Sequence, residues 1–125
     1  MTSDATVPRA TRRLGGLELV QTVLDSGSWV GWDTPPPSVA TEGSPYAAEL
    51  AAARERSGAD EAIVTGEGRI RGRRVAVIAG EFAFLAGSIG STAAERIVLA
   101  FERARLQGLP LFAAPASGGT RMQEG

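Results

Sequence analysis

Apolar residues follow a helical period most clearly over Thr92–Gln107. Ala93, Ile97, Ala100, Phe101 and Ala104 form one stripe there, with Glu95, Arg96, Glu102, Arg103 and Arg105 mostly outside it. Gly108 caps this predicted helix and Pro110 prevents its continuation. Two earlier stretches read as shorter helices. Leu17–Leu24 places Leu17, Val20 and Leu24 on one face, and Asp25-Ser26-Gly27-Ser28 ends it. Tyr46–Arg56 is preceded by Ser44 as cap and Pro45 in the first turn, and is stopped by Ser57-Gly58; Ala47, Leu50, Ala51 and Arg54 share a face. From Glu61 the pattern becomes that of strands. Ala62–Ile70 and Val75–Ala79 flank a tight turn at Arg71-Gly72-Arg73, and the second is apolar on both faces, as a central strand is. Leu109–Ala114 reads as a further buried strand, followed by the turn Ser117-Gly118-Gly119 and a run that can open another helix. Strand, strand, helix, strand and helix start together predict an α/β fold.

Composition shifts divide the chain into three parts. Residues 1–16 are small and polar with scattered arginines and read as a disordered leader; Asp4 and the lack of an amphipathic period argue against a mitochondrial presequence. Residues 17–60 form a helical arm interrupted by a proline-rich loop at 34–45, which includes Pro35-Pro36-Pro37. Trp29-Val30-Gly31-Trp32-Asp33 is a short extended piece whose tryptophans read as anchors for that arm, a ligand cage being the competing reading. Residues 61–125 hold the start of the sheet domain.

The bulk numbers exclude more than they identify. At 125 residues the chain suffices for one ordinary domain. A formal net charge of −1 gives no reason to expect nucleic acid or an anionic membrane as partner. All 13 basic residues are arginine, which with the alanine and glycine content reads as coding bias. Without cysteine or histidine there is no disulfide, no thiolate or imidazole metal site, and no histidine-based nucleophile system within the sequence. No apolar run approaches the ~20 residues of a membrane span and no secretory signal is visible, so a cytoplasmic location is expected.

Chemistry then rests on two glycine turns. Gly87-Ser88-Ile89-Gly90-Ser91-Thr92 has neither the lysine of a P-loop nor dinucleotide-binding spacing, and reads first as a strand-to-helix turn. Ser117-Gly118-Gly119 has two readings of equal weight. Its adjacent amides can approach an oxyanion because no Cβ intervenes, or the glycines relieve crowding between strand and helix. Arg121 and Glu124 read either as site residues or as helix-start charges, and Glu67 and Glu81 as surface or hairpin carboxylates. No carboxylate pair has a spacing that argues for general acid–base work.

Gly66-Glu67-Gly68, Gly72-Arg73-Arg74-Val75-Ala76-Val77, Glu81–Gly90, Ala94-Glu95-Arg96-Ile97 and Ser117–Gly125 together resemble the β-type carboxyltransferase subunit of biotin-dependent acetyl-CoA and propionyl-CoA carboxylases. The likeness covers roughly residues 23–125, and its last motif is the most specific, with Thr120 where the family usually carries alanine. The resemblance implies the N-terminal portion of a crotonase-like fold, ββα units wound as a superhelix. It implies transfer of a carboxyl group from carboxybiotin to the α-carbon of acetyl-CoA or propionyl-CoA, in fatty-acid synthesis or short-chain acyl-CoA metabolism. Gly118 and Gly119 would then be the amide pair that stabilises an enolate. Gly87, Ser88, Ile89 and Gly90 would line the CoA groove. Acyl-CoA and carboxybiotin are implied as substrates, with no covalently bound cofactor and no metal. The implied partners are biotin carboxylase and the biotin carboxyl carrier, in a homo- or hetero-oligomer. Lacking the cysteines of a zinc ribbon, the chain resembles the zinc-free type. Because such subunits are much longer and take their biotin-side amides from a second half, the expectation is an N-terminal fragment with negligible turnover alone. The alternatives are a non-catalytic piece that complements a companion chain, or another crotonase-type acyl-CoA enzyme such as a hydratase.

Overall fold

Four strands in the order β1-β2-β3-β4 form one sheet, in a computed structural model that describes residues 15–115 and 119–124. Most of the expected leader, residues 1–14, lies outside the described residues; Gly16 begins helix α1 (Gly16–Val23). Strand β1 (Val30–Gly31) and helix α2 (Pro45–Ser57) follow. Strands β2 (Ile63–Ile70) and β3 (Arg73–Gly80) form the central hairpin, and helix α3 (Ser91–Gln107) crosses from β3 to β4 (Leu111–Ala114). β1 and β2 pair antiparallel, as do β2 and β3, whereas β3 and β4 run parallel. The crossover helix is what a parallel pair requires.

The hairpin turn is Arg71–Gly72, both left-handed at φ 52° and 81°, the twist that suits a two-residue connection. Asp25 ties it to the arm by accepting from the N–H groups of Arg71 and Gly72 at 2.9 and 2.7 Å. Period-two alternation along β3 sends Val75, Val77 and Ala79 toward Val20 and Leu24 at α1, and Ile78 toward Ala93 and Ala100 of α3. The result is a helix–sheet–helix sandwich. α2 closes one end, where Leu50 and Ala53 meet Ala62 and Phe84. The tryptophans bind the arm to both faces: Trp29 packs with the α1 cluster and Trp32 with the α3 cluster. A Cβ on Gly66 would strike the Trp29 ring and one on Gly68 would strike Leu24, so the Gly-Glu-Gly of β2 is where the arm lies closest to the sheet.

Several sequence expectations need correction. Phe101 is 53 % exposed, whereas Arg96, assigned to the outer face of α3, is buried. α3 turns three of its four alanines inward (Ala93, Ala100 and Ala104), which lets helix and sheet approach closely, and leaves Val98, Leu99, Phe101 and Leu106 facing out. Arg96 is tolerated inside because Asp60 meets its Nη1 and Nη2 at 3.0 Å each and the carbonyls of Ile63 and Thr34 accept at 2.7 and 3.0 Å. Burial opposes its charge, but Asp60 with Asp33 and Glu61 outweighs it and holds the Arg96 pKa above the ordinary arginine value. The inner face of α2 is Leu50 and Ala53; Ala51 and Arg54 are exposed. Glu81 is buried instead of at the surface, and accepts from the N–H of Gly16 at 2.8 Å, a carboxylate at the positive end of α1. β4 is half-buried instead of buried, with Ala113 exposed. Glu67 does sit on the hairpin, where Arg74 at 2.7 Å lowers its pKa against the opposing effect of burial, with the Trp32 N–H adding to the lowering.

Candidate functional site

After β3 the chain enters a turn built from unusual backbone. Leu85, Ala86 and Gly87 follow one another at φ 48°, 56° and 73°. Left-handed geometry at the two residues with side chains costs about 1–2 kcal/mol each. The conformation is held by Phe84, fully buried beneath it, and by the N–H groups of Gly87 and Ser88 donating to the carbonyls of Phe84 and Leu85 at 2.9 and 3.1 Å.

The terminal motif lies directly beside this turn. Ile89 and Thr120 form a parallel bridge, in which Ile89 N–H donates to the Gly119 carbonyl at 2.8 Å and Arg121 N–H donates to the Ile89 carbonyl at 3.0 Å. The structure therefore brings together five of the predicted site residues, Gly87, Ser88, Ile89, Gly90 and Gly119; Gly118 lies outside the described residues. Gly119 is exposed with φ 94°, and a Cβ built on it meets nothing within 4 Å. Its need for glycine is thus one of backbone conformation, not of space. Where a helix start is expected after it, the described residues hold a 3₁₀ turn, Met122–Glu124, and the side chains of Arg121 and Glu124 are turned into the body of the protein.

Arg121 fixes that turn. Its side chain is 0 % exposed and paired with Glu61 at 2 %. Nη2 and Nη1 donate to the two Glu61 oxygens at 2.6 and 3.1 Å, Nη2 also to the Ser88 carbonyl at 2.7 Å, and Nε to Ser88 Oγ at 3.2 Å. Nη1 reaches the Tyr46 hydroxyl at 3.2 Å, and the guanidinium carbon stands 5.4 Å from the centre of the Phe84 ring. Burial opposes the charge, but Glu61 and Tyr46 more than offset it and raise the Arg121 pKa. Tyr46 donates in turn to the Glu124 carboxylate; burial and that carboxylate raise the phenol's pKa. Glu124 moves the other way, since Tyr46, the Ser91 N–H and Arg121 together outweigh its burial. Ser91 N–H donates to Glu124 at 2.7 Å, which places the carboxylate at the first residue of α3. Gly90 leaves the space for it: a Cβ there would fall 2.5 Å from Glu124 Oε2.

Sequence reasoning missed Tyr46, Glu61 and Phe84. The signal for Glu61 was its place directly before the apolar run of β2, where a carboxylate is buried only if paired. Ser88, Tyr46, Glu61, Arg121 and Glu124 direct hydrogen bonds to one another and to the backbone of Ala62, Ser88 and Ser91, so they hold the backbone of the two turns in place. Among the described residues there is no group of three or more metal-ligating side chains, and no helix long and apolar enough to cross a membrane.

A family model described as "Carboxyl transferase domain" matches residues 36–125. The probable biotin-dependent acyl-coenzyme A carboxylase beta3 subunit of Mycobacterium tuberculosis is 62 % identical over 108 residues, 86 % of this chain and 22 % of the relative. The acetyl-coenzyme A carboxylase carboxyl transferase subunits beta/alpha of Saccharopolyspora erythraea are 40 % identical over 117 residues, 90 % of this chain and 21 % of the relative. Among solved structures, transcarboxylase 12S with hydrolysed methylmalonyl-coenzyme A bound superposes with a TM-score of 0.77 at 27 % identity, over 94 % of this chain and 22 % of that one. The chain thus spans about a fifth of the length of these relatives.

Proposed function

Because this chain belongs to the carboxyl transferase domain family, we propose that it serves in carboxyl transfer from carboxybiotin to acetyl-CoA or propionyl-CoA. The observation that carries the reading is the parallel bridge that sets Gly119 beside the Gly87–Gly90 turn, with Arg121 locked beneath both. In the proposed reaction the acyl α-carbon loses a proton and forms a bond to the carboxyl carbon. The bond from that carbon to the biotin ureido nitrogen breaks, and the nitrogen accepts the proton. Negative charge develops on the thioester oxygen, and the amides of Gly118 and Gly119 are assigned to receive it. Residues Gly87, Ser88, Ile89 and Gly90 are assigned to the CoA groove, where the rigid turn holds the substrate in register. Biotin carboxylase and a carboxyl carrier are the proposed partners, in an oligomeric, cytoplasmic assembly active in fatty-acid or short-chain acyl-CoA metabolism. No metal and no covalently held cofactor is required.

Calorimetric titration of the chain with propionyl-CoA tests this reading. Binding should saturate and weaken at least about ten-fold in Gly119→Val, because a β-branched residue is strained at positive φ. Absence of binding, or equal binding by the variant, refutes it. A second reading is that the chain complements a companion chain, and it is favoured by the outward face of α3, where Val98, Leu99, Phe101 and Leu106 are 53–75 % exposed. Co-purification with a companion from the same operon supports it; a stable monomer in the companion's presence excludes it.

A further inference from the structure

The two turns are not held together by their backbone bridge alone. Four segments far apart in sequence send one side chain each to the same guanidinium: Tyr46 from the first turn of α2, Glu61 from the entry to β2, Ser88 from the left-handed turn, and Glu124 from the residues after Gly119. Arg121 is two residues from Gly119, and its own N–H is one of the two bonds of the bridge. A shift of the guanidinium therefore shifts the bridge, and with it the Gly119 peptide. Glu61 fixes the guanidinium by two charge-assisted bonds from a site that is itself 2 % exposed. Tyr46 and Glu124 fix its outer edge, and Glu124 simultaneously grips the first N–H of α3.

We propose that Tyr46, Glu61 and Glu124 are positioning residues for the bridged segment Gly119–Arg121. By locking Arg121 they set where the Gly119 peptide stands relative to the Gly87–Gly90 turn, and so where an acyl-CoA thioester oxygen meets its amide donors. The proposal rests on the carboxyltransferase reading. It assigns Tyr46, in the N-terminal arm, a role in the site through the Arg121 and Glu124 side chains that its hydroxyl meets. Oxyanion donors lose effect steeply with small displacements, so a cluster that touches no substrate still governs polarisation of the carbonyl.

Two readouts on the 125-residue chain decide the matter, using Tyr46→Phe and Glu124→Gln, with Val20→Ala in the α1 core as a control for general loss of stability. The first is amide hydrogen exchange at Ile89 and Arg121, the donors of the bridge. Exchange should speed about ten-fold or more in both cluster variants, while the β2–β3 amides stay as they are; Val20→Ala should not single out these two sites. The second is the ¹³C resonance of the thioester carbonyl of labelled propionyl-CoA at saturation. The displacement seen with the wild-type chain should shrink toward the free value in the cluster variants and persist in Val20→Ala. Wild-type protection of Ile89 and Arg121 in both cluster variants overturns the proposal. So does a loosened bridge with an unchanged bound carbonyl, which reduces the cluster to a fold support. If the wild-type chain itself fails to displace the carbonyl resonance, the carboxyltransferase reading falls and takes the proposal with it. That failure is distinct from the other two, which leave the reading standing.

Discussion

Replacing Arg121 by methionine removes the positive member of a pair whose carboxylate is 2 % exposed. Glu61 is then left charged, out of water and without the donors at 2.6 and 3.1 Å that now satisfy it. Breaking a buried pair in this way costs about 3–5 kcal/mol. Glu61→Leu alone strands the guanidinium and should cost a similar amount. The double variant leaves neither charge of the pair; its debts are the Ser88 carbonyl, which loses the Arg121 donor at 2.7 Å, and the Ala62 N–H, which loses the Glu61 acceptor at 2.7 Å, together about 1–3 kcal/mol at about 0.5–1.5 kcal/mol per bond. The two single losses sum to about 6–10 kcal/mol against about 1–3 for the double, a coupling of at least about 3 kcal/mol. Urea unfolding followed by tryptophan fluorescence measures it. With a slope of about 2 kcal/mol per molar, each single variant should lower the midpoint by about 1.5–2.5 M, and the double by clearly less. Sucrose at one concentration throughout keeps the weaker variants folded. A cycle additive to within about 0.5 kcal/mol would refute the argument, because the two charges would then not depend on each other.

Further outcomes follow from the same cluster and from α3. Tyr46 is the one tyrosine of the chain, so phenolate absorbance reports on it alone. Its ionisation should fall above the ordinary 10.0 in the folded chain and move down in Glu124→Gln. Since the folded value is raised, the stability that Tyr46 adds is complete below the unfolded value and lost as pH climbs through the folded one. Glu124 has the opposite sign: its contribution holds above the ordinary 4.5 and disappears as pH falls through its lowered folded value, which acid unfolding of wild type against Glu124→Gln will show. Gly90→Ala should cost about 1–2 kcal/mol in thermal melts by driving Glu124 off the Ser91 N–H, and an unchanged or higher melting temperature would contradict the close approach. Arg96→Lys should cost about 1–3 kcal/mol, as an ammonium cannot meet Asp60, Ile63 and Thr34 at once; a loss under about 0.5 kcal/mol speaks against it.

What the sequence made legible was local. The hairpin, the Ser44 and Pro45 start of α2 and the glycine ends of α2 and α3 could be read because each signal lies within a few residues of what it specifies. The face of α3 was misjudged because apolar count favoured Phe101 over Arg96. The burial of Arg96 depends on Asp60, which is 36 residues away and invisible to a helical period. Glu81 and Glu61 were misplaced or passed over for the same reason, since their partners Gly16 and Arg121 are 65 and 60 residues distant. The glycine turns themselves stood out, and the terminal motif pointed to a family. Their bridge did not, because register between two turns is a property of the assembled fold.

The carboxylate that holds Gly16 also dictates an order of events during synthesis. Helix α1 and strand β1 leave the ribosome before the sheet does, yet the Gly16 N–H of α1 meets Glu81 only 65 residues later, and β1 its partner in β2. At about 5–20 residues per second β1 waits roughly 2–7 s for its partners in β2, and Gly16 roughly 3–13 s for Glu81. Val20, Leu24 and both tryptophans are exposed for that interval. The arm is therefore made before the sheet on which it folds, and it is during translation that it is most open to chaperones and to aggregation.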